Sequence, residues 1–253
     1  MMPSLAVEFD WDVVGQYLFN PLIREGAWRT LQVAILAQLF GVVLGGIFAL
    51  MRISRNPLAN GFAGFYVWFF RGTPVLLQLS ILYFGIPQLL GNQTVTAELT
   101  AFRAAVLAFG VNEGAYMTEI VRAGILSVEA GQMDAAKSLG MTQLQAMRHV
   151  VLPQALRVVV PPTGNEFIAM LKNSSLASTI ALVELLQATK LIYSTNFKFM
   201  ELLVVAAIWY LAMTTVFSLF QAELERMLAV GERERQETLF SRMLTLMGGR
   251  RGI

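Results

Sequence analysis

The chain of 253 residues contains no cysteine, a single histidine and few charged residues. Without cysteine it can form neither a disulfide nor a thiolate metal site, and His149 alone cannot build a histidine metal site. Charged residues make up 14% of the chain, whereas soluble domains average about 25%. Because 56% of the residues are hydrophobic, we expect lipid to solvate most of the surface. We expect this chain to bind no metal and no cofactor.

The small positive charge does not indicate a nucleic-acid partner. The net charge is +2, and the basic residues are scattered at the edges of apolar runs, as membrane topology requires. The N-terminal sequence MMPSLAVEFDWD lacks a basic region followed by an apolar run. A signal peptide is therefore not predicted.

Long apolar runs predict an all-α integral membrane protein, because a helix needs about 20 apolar residues to cross a bilayer. About five spans are expected, with a shorter apolar piece at residues 175–188 that suits a half-helix. The spans cover residues 28–51, about 60–90, 100–124, 153–171 and 201–219. The second is too long for one straight span, so we predict a break near Pro74.

Basic residues in the short connections predict the orientation. Arg52 and Arg55 follow the first span, and four basic residues surround the connection between spans three and four. Span five is followed by a group of arginines that includes Arg226, Arg233, Arg235 and Arg242. With five spans, these three regions face the same side of the membrane. The positive-inside rule assigns this basic side to the cytoplasm. The N-terminus then lies outside and the C-terminus lies in the cytoplasm.

Three parts are expected along the chain. Residues 1–26 form an N-terminal interfacial segment, in which 11–23 is predicted to be a helix at the headgroup level because it is rich in aromatic residues. Residues 27–222 form the transmembrane domain. Residues 223–253 form a charged cytoplasmic tail, expected to be a solvated helix, with a partner-binding tail as the alternative.

Residues 127–153 predict a helix–turn–helix on the cytoplasmic face. Gly140 stands where a helix C-terminus needs a left-handed residue. Thr142 and Gln145 form a T-x-x-Q capping box that begins a second helix. Pro153 suits the first turn of the next helix, because a backbone N–H in that turn would have no acceptor within the helix.

The sequence DAAKSLGMTQLQAMRHVVLP at residues 134–153 resembles the EAA loop of the membrane subunits of binding-protein-dependent ABC importers. Asp134 replaces the usual glutamate and Val150 the usual isoleucine. Three further stretches resemble the polar amino acid branch of these permeases: RGTPVLLQLSILYFGIP, GAYMTEIVRAGILSVEAGQ and LPQALRVVVPPTGNEFIAMLKNSSL. The resemblance covers most of residues 31–219.

This resemblance implies a type I importer for polar amino acids in the bacterial cytoplasmic membrane. Two permease subunits, identical or paralogous, would form the path, and an extracytoplasmic binding protein would deliver the amino acid. ATP-binding cassette subunits, which use ATP and Mg, would dock on the loop. The residues assigned to that coupling are Asp134, Ala135, Ala136, Gly140, Leu144 and Pro153. The chain has no G-x-x-x-x-G-K-[ST] sequence, so it is not expected to be an enzyme itself.

Ionisable residues inside spans are candidates for substrate contact, because their burial in lipid is costly. The predicted substrate pocket is lined by Asn112, Glu113, Tyr116, Asn165 and Glu166. Two carboxylates favour a cationic substrate such as arginine or lysine. The prolines at 161 and 162 are expected to loosen the helix before Glu166.

Structural roles remain open for the same charges. Lys172, Arg71 or neighbouring helices could satisfy both glutamates, which would then only fix helix packing. Arg71 itself is intramembrane if the second span begins near residue 60, and marks an edge if it begins at Gly72. Glu119 and Arg122 are three residues apart and either pair with each other or line the approach to the loop.

Other functions are also open. An ATP-independent channel or secondary carrier is one, although secondary carriers usually show internal repeats, and this chain shows none. A non-transporting membrane scaffold is another. Neither explains the spacing in residues 134–153. A permease for a different small solute remains possible within the same superfamily.

Overall fold

In the computed structural model, residues 9–91 and 98–248 are described, with side chains to residue 228. This part of the chain is helical and contains no strand. The helices are α1 (Trp11–Leu18), α2 (Pro21–Ile53), α3 (Pro57–Gly72), α4 (Val75–Ser80), α5 (Ile86–Leu90), α6 (Ala101–Leu126), α7 (Ala130–Ser138), α8 (Gln143–Ala146), α9 (Leu152–Asn173), α10 (Leu185–Asn196) and α11 (Phe199–Gly248). The all-α prediction is confirmed. The first eight and last five residues of the predicted end segments lie outside the described residues.

The N-terminal helix is shorter than predicted. It ends at Leu18 rather than at residue 23, because Asn20 and Pro21 begin the next helix. The Asn20 side chain accepts a hydrogen bond from the backbone N–H of Leu22 at 2.9 Å, and Pro21 occupies the first turn. Helix α2 therefore begins before the predicted first span, and the expected boundary after residue 26 falls inside it.

The predicted break in the second span is confirmed. Helix α3 ends at Gly72, and the following helical segment Val75–Leu90 is bent from it by 100°. Pro74 precedes α4 and cannot continue the hydrogen bonding of α3. A second bent pair, Gln143–Ile180 with Leu185–Asn196, turns by 49°.

Length and hydropathy alone identify two to four candidate spans in the described chain. Helices α2 and α11 each qualify by themselves, and each bent pair adds one if it is counted as a single span. The five-span prediction also includes α6, whose 26 residues are long enough to cross a bilayer but carry four charged side chains. The count of five remains a prediction.

Prolines deform the helices less than the sequence suggests. Helix α9 continues through Pro161 and Pro162, where loosening was expected. Two side chains also bond carbonyls of this stretch: Gln221 donates to the carbonyl of Pro161 at 3.1 Å, and Thr163 donates to the carbonyl of Val159 at 2.8 Å. The chain leaves α-helical geometry only after α9, in the 3₁₀ segment Ser174–Ile180.

Small residues bring α2 and α6 into close contact at the centre of the molecule. A Cβ atom on Gly41 would lie 2.5 Å from Cγ of Glu113, and one on Gly110 would lie 2.5 Å from Cδ1 of Phe40. Such small-residue contacts let helix backbones approach within membranes. This packing places Glu113 directly against α2.

Candidate functional site

Charged side chains hold one end of the α2, α3 and α6 bundle together. Arg52 Nη1 donates to Asn60 Oδ1 at 2.6 Å, and Arg52 Nε lies 3.8 Å from Glu119 Oε1. Arg122 Nη2 donates to Glu119 at 2.7 Å, so the predicted pairing of these two residues is present. The end of α2, the start of α3 and the last turns of α6 therefore lie at the same level.

Three charged residues lie at a similar distance along their own helices from that end of the bundle. Arg71 is about 14 positions into α3, Glu113 about 13 positions from the end of α6, and Glu166 about 14 positions into α9. At about 1.5 Å per residue, each lies roughly 20 Å in. A Cβ on Gly124 would lie 3.2 Å from the carbonyl oxygen of Ala155, which shows that α9 begins beside the end of α6.

These residues meet in one cavity of about 430 Å³. It contains four of the five residues predicted to line the substrate pocket, together with residues of the break after α3. The lining residues are Arg71, Gly72, Thr73, Pro74, Val75, Phe109, Asn112, Glu113, Tyr116, Glu166, Met170 and Asn173. Three different helices therefore bring these distant sequence positions to one cavity.

Asn165 does not line this cavity, contrary to the prediction. It is exposed, and its side-chain oxygen accepts a hydrogen bond from Gln221 Nε2 at 3.1 Å. Consecutive side chains on an α-helix point about 100° apart, and here Glu166 faces the cavity while Asn165 faces Gln221. Asn165 instead contacts α11.

The side-chain amides of Gln78 and Asn112 hydrogen-bond the backbone at the break between α3 and α4. Gln78 Nε2 donates to the carbonyls of Phe70 at 2.9 Å and Thr73 at 3.0 Å. Asn112 Nδ2 donates to the same Phe70 carbonyl at 2.8 Å and to Gln78 Oε1 at 3.1 Å. The carbonyl of Phe70, which the end of α3 leaves unpaired, and that of Thr73 are thereby satisfied. Asn112 thus has a structural role besides lining the cavity, and sequence reasoning missed Gln78.

Glu113 is buried and held from α2. Glu113 is only 3% exposed. The side-chain amide of Gln38 donates from Nε2 to Oε1 of Glu113 at 3.2 Å. Gly41, three residues after Gln38 and on the same face of α2, gives the carboxylate its space. Gln38 was not identified from the sequence, although a lone amide inside an apolar run is a recognisable sign of a buried polar contact.

Arg71 contacts an aromatic ring. Its Cζ lies 5.1 Å from the centroid of the Tyr116 ring, a distance typical of a cation–π contact. Because α3 begins at Pro57, Arg71 lies inside the broken span rather than at its edge. Among the side chains up to residue 228, neither Arg71 nor Lys172 forms an ion pair with Glu113 or Glu166.

The loop at residues 127–153 has the predicted turn. Gly140 adopts a left-handed conformation with φ +83°. The N–H of Met141 donates to the carbonyl of Ala136 at 3.1 Å, and that of Gly140 donates to Lys137 at 2.9 Å. These are the two bonds of a Schellman motif, so the end of α7 is closed by its own backbone.

The predicted capping box of α8 is also present. The N–H of Gln145 donates to Thr142 Oγ1 at 3.3 Å, and the N–H of Thr142 donates to Gln145 Oε1 at 2.9 Å. Helix α8 then passes through a π-helical segment, Met147–Val151, into α9. The wider turn suits Pro153, whose ring would clash with the carbonyl four residues earlier in a regular helix.

The loop exposes apolar side chains at its turn. Leu139 is 81% exposed and Leu144 is 76% exposed, and Asp134 and Ala135 are exposed beside them. Ala136, in contrast, is buried within the loop, so its small size serves internal packing rather than an outer surface. Sequence reasoning named Leu144 and missed Leu139.

The sequence profile of the family described as binding-protein-dependent transport system inner membrane components matches residues 41–230. The chain belongs to this family. The match includes α6, the cavity residues and the whole exposed loop, so both features are parts of an inner membrane component. Membership supports the permease interpretation over a channel, a secondary carrier or a scaffold.

Named relatives of this inner membrane component are permeases. It is 40% identical to the arginine transport system permease protein ArgU of Corynebacterium glutamicum, over 96% of this chain and 79% of that protein. It is 39% identical to the L-cystine transport system permease protein TcyB of Bacillus subtilis, over 89% of this chain and 94% of that protein.

Solved structures share its fold. A crystal structure of an amino acid ABC transporter with histidines matches with a TM-score of 0.77 and 37% identity, over 88% of this chain and 100% of that chain. The methionine ABC transporter MetNI in an inward facing conformation matches with a TM-score of 0.65 and 20% identity, over 82% of this chain and 96% of that chain. The second likeness concerns the fold alone.

Proposed function

We propose that this chain is the permease subunit of an ATP-driven importer of polar amino acids in the bacterial cytoplasmic membrane. The observation that carries the proposal is the exposed helix–turn–helix at residues 127–153 in a member of this family. Relatives named for arginine, cystine and glutamine transport support an amino acid as the substrate.

The ATP-binding cassette subunits dock on the loop. Leu139 and Leu144 offer exposed apolar contacts, and the Schellman motif and capping box make the loop stiff enough to transmit a force. The chain has no phosphate-binding sequence, so the ATPase subunits hydrolyse ATP with Mg²⁺. A second permease subunit, identical or paralogous, and an extracytoplasmic binding protein complete the importer. The loop and C-terminus face the cytoplasm, and the N-terminus faces outward.

The cavity near the midpoint of the bundle lies on the substrate path. Glu113 and Glu166 supply two carboxylates, and Asn112 and Tyr116 supply further polar surface. A cavity of about 430 Å³ is within the usual size of small-molecule sites, about 300–1,000 Å³. Two carboxylates with one arginine favour a substrate with a cationic side chain.

Reconstitution tests the function. The chain is assembled with its ATPase, its partner permease and its binding protein in proteoliposomes, and uptake of L-arginine, L-lysine and L-glutamine is measured with ATP inside. Uptake that requires both ATP and the binding protein supports the proposal. Uptake without ATP, driven by an ion gradient, would instead make the chain a secondary carrier.

A paired substitution tests the docking surface in the same assay. Replacing Leu139 and Leu144 with alanine is expected to lower both ATPase retention and uptake, because the exposed apolar contacts are lost. The control is Leu89→Ala, since Leu89 is similarly exposed at 85% but lies in α5, outside the loop. Equal losses in the control and the loop variant would contradict docking at the loop.

A further inference from the structure

Glu119 lies on α6 between the cavity and the exposed loop. It follows Tyr116, a cavity residue, by about one helical turn, and it precedes the end of α6 at Leu126 by about two turns. A force that the loop exerts on α6 therefore passes Glu119 before it reaches the cavity.

Two arginines from different helices approach the Glu119 carboxylate. Arg122, on the same helix, donates to Oε2 from Nη2 at 2.7 Å and from Nε at 3.2 Å. Arg52, at the end of α2, has its Nε 3.8 Å from Oε1. The Glu119 side chain is only 24% exposed, so these contacts are screened less than those of an ion pair at an open surface.

The contact between Glu119 and Arg52 is incomplete in this structure. Among the described side chains, Arg52 Nε is a buried donor without a hydrogen-bond partner, and such donors are rare in native proteins. A movement of about 1 Å would bring Nε within hydrogen-bond distance of the carboxylate. A small shift of α6 against α2 is therefore enough to strengthen or break this contact.

Arg52 also holds the start of α3. Nη1 of Arg52 donates to Oδ1 of Asn60 at 2.6 Å, and Nδ2 of Asn60 donates to the carbonyl of Arg52 at 2.9 Å. The other end of α3 reaches the cavity at Arg71 and Gly72. Glu119 thus stands between α6, which leads into the loop, and α3, which forms another wall of the cavity. Rigid helices joined by such contacts can carry coupling between distant sites.

We propose that Glu119 is a positioning residue that, through Arg52, couples movement of the loop to α3 as well as to α6. This rests on the proposed function, because an ATPase supplies the movement. When the loop moves, the Glu119–Arg52 contact carries the corner between α2 and α3 (residues 52–60) along with α6, so that the cavity walls move together. Without the contact, ATP is hydrolysed but less amino acid is moved.

Glu119→Gln tests this link, since it removes the charge and keeps the shape of the side chain. Uptake and ATP hydrolysis are measured together on the complete importer in proteoliposomes, with the best transported of L-arginine, L-lysine and L-glutamine. The ATPase should still copurify and hydrolyse ATP. Uptake per ATP hydrolysed is expected to fall at least about fivefold, the lower end of the usual coupling between sites.

Three further variants separate the link from local helix stability. Arg52→Gln should lower the same ratio although the pair of Glu119 with Arg122 remains. Exchanging the two charges of α6, Glu119→Arg with Arg122→Glu, restores an ion pair within the helix but places a cation towards Arg52, so the ratio should stay low. The control is Glu223→Gln, which removes an exposed pair with Arg226 that has the same three-residue spacing and the same distance of 2.7 Å; the ratio should stay within about twofold of wild type.

Three results would overturn the assignment. A normal ratio in Glu119→Gln or Arg52→Gln would do so, and recovery in the exchange variant would limit Glu119 to pairing within α6. Equal losses of uptake, hydrolysis and yield in Glu119→Gln would make it a folding residue instead. The wild type alone decides the proposed function: uptake that requires ATP and the binding protein would leave that function standing in all three cases, whereas wild-type uptake without ATP would overturn both proposals.

Discussion

Replacing Gly140 with valine should uncouple the transporter from its ATPase. The residue has φ +83°, a conformation that costs an L-amino acid roughly 1–2 kcal/mol and a β-branched one more. Among the described residues, no atom outside the local chain lies within 4 Å of the position where a Cβ would be, so the cost comes from the backbone and not from a clash.

The backbone strain destabilises the native conformation of the turn. The two Schellman hydrogen bonds, from Met141 and Gly140, form only in this conformation, and each contributes about 0.5–1.5 kcal/mol. These bonds favour the native turn, so only the backbone strain acts against it; a strain of about 2 kcal/mol lowers the population of the native turn by more than tenfold. We therefore expect uptake in proteoliposomes to fall at least about tenfold.

Gly91 provides a matched control. It is also left-handed, with φ +57°, and a Cβ there would also meet nothing within 4 Å, but it ends α5 rather than the coupling loop. Gly91→Val should retain most uptake and normal co-purification of the ATPase. Gly140→Asn should lose less than Gly140→Val, because asparagine tolerates the left-handed region. Normal uptake by Gly140→Val, or an equal loss in Gly91→Val, would refute the reasoning.

Three further predictions concern the cavity, the broken span and the topology. Glu113→Gln and Glu166→Gln should each reduce L-arginine uptake by about 10- to 100-fold and L-glutamine uptake much less; equal small losses for both substrates would make these glutamates packing residues. Gln78→Leu leaves the Phe70 and Thr73 carbonyls short of donors and should lower stability by about 1–3 kcal/mol, seen as a lower melting temperature of the detergent-solubilised complex; an unchanged melting temperature would show that the amide does not fasten the break. Reporter fusions should place the N-terminus outside and the C-terminus in the cytoplasm, and both on one side would contradict an odd number of spans.

Local features of the fold were predictable because their causes lie within a few residues. The break near Pro74, the left-handed Gly140 and the capping box of Thr142 and Gln145 each follow from the chemistry of one or two neighbouring side chains. The convergence of Glu113 and Glu166 was predictable in part, since intramembrane charges usually face a shared polar space.

Contacts between distant segments were not predictable. Gln38 and Gln78 are ordinary amides in apolar runs, and only the packing of α2 and α4 against α6 shows that they bond Glu113 and Asn112. The placement of Asn165 failed for a related reason, because the orientation of α9 decides which of two adjacent residues faces the cavity.

The continuity of α9 through two prolines also could not be predicted from the sequence. A side chain also reaches this stretch from another helix, since Gln221 of α11 bonds the carbonyl of Pro161. The sequence shows which hydrogen bonds the prolines remove, but not how α9 packs against its neighbouring helices.

The docking of an ATPase on the exposed loop is the central claim, and the absence of native cysteine allows it to be tested by a single introduced thiol. Leu144→Cys in the assembled complex is treated with a short thiol-to-amine cross-linker, and the product is identified by mass spectrometry. Leu89→Cys serves as the control on α5. The account predicts a covalent adduct between Leu144→Cys and the ATPase subunit, and none from Leu89→Cys. An intact, transporting complex in which Leu144→Cys gives no adduct with the ATPase would contradict it.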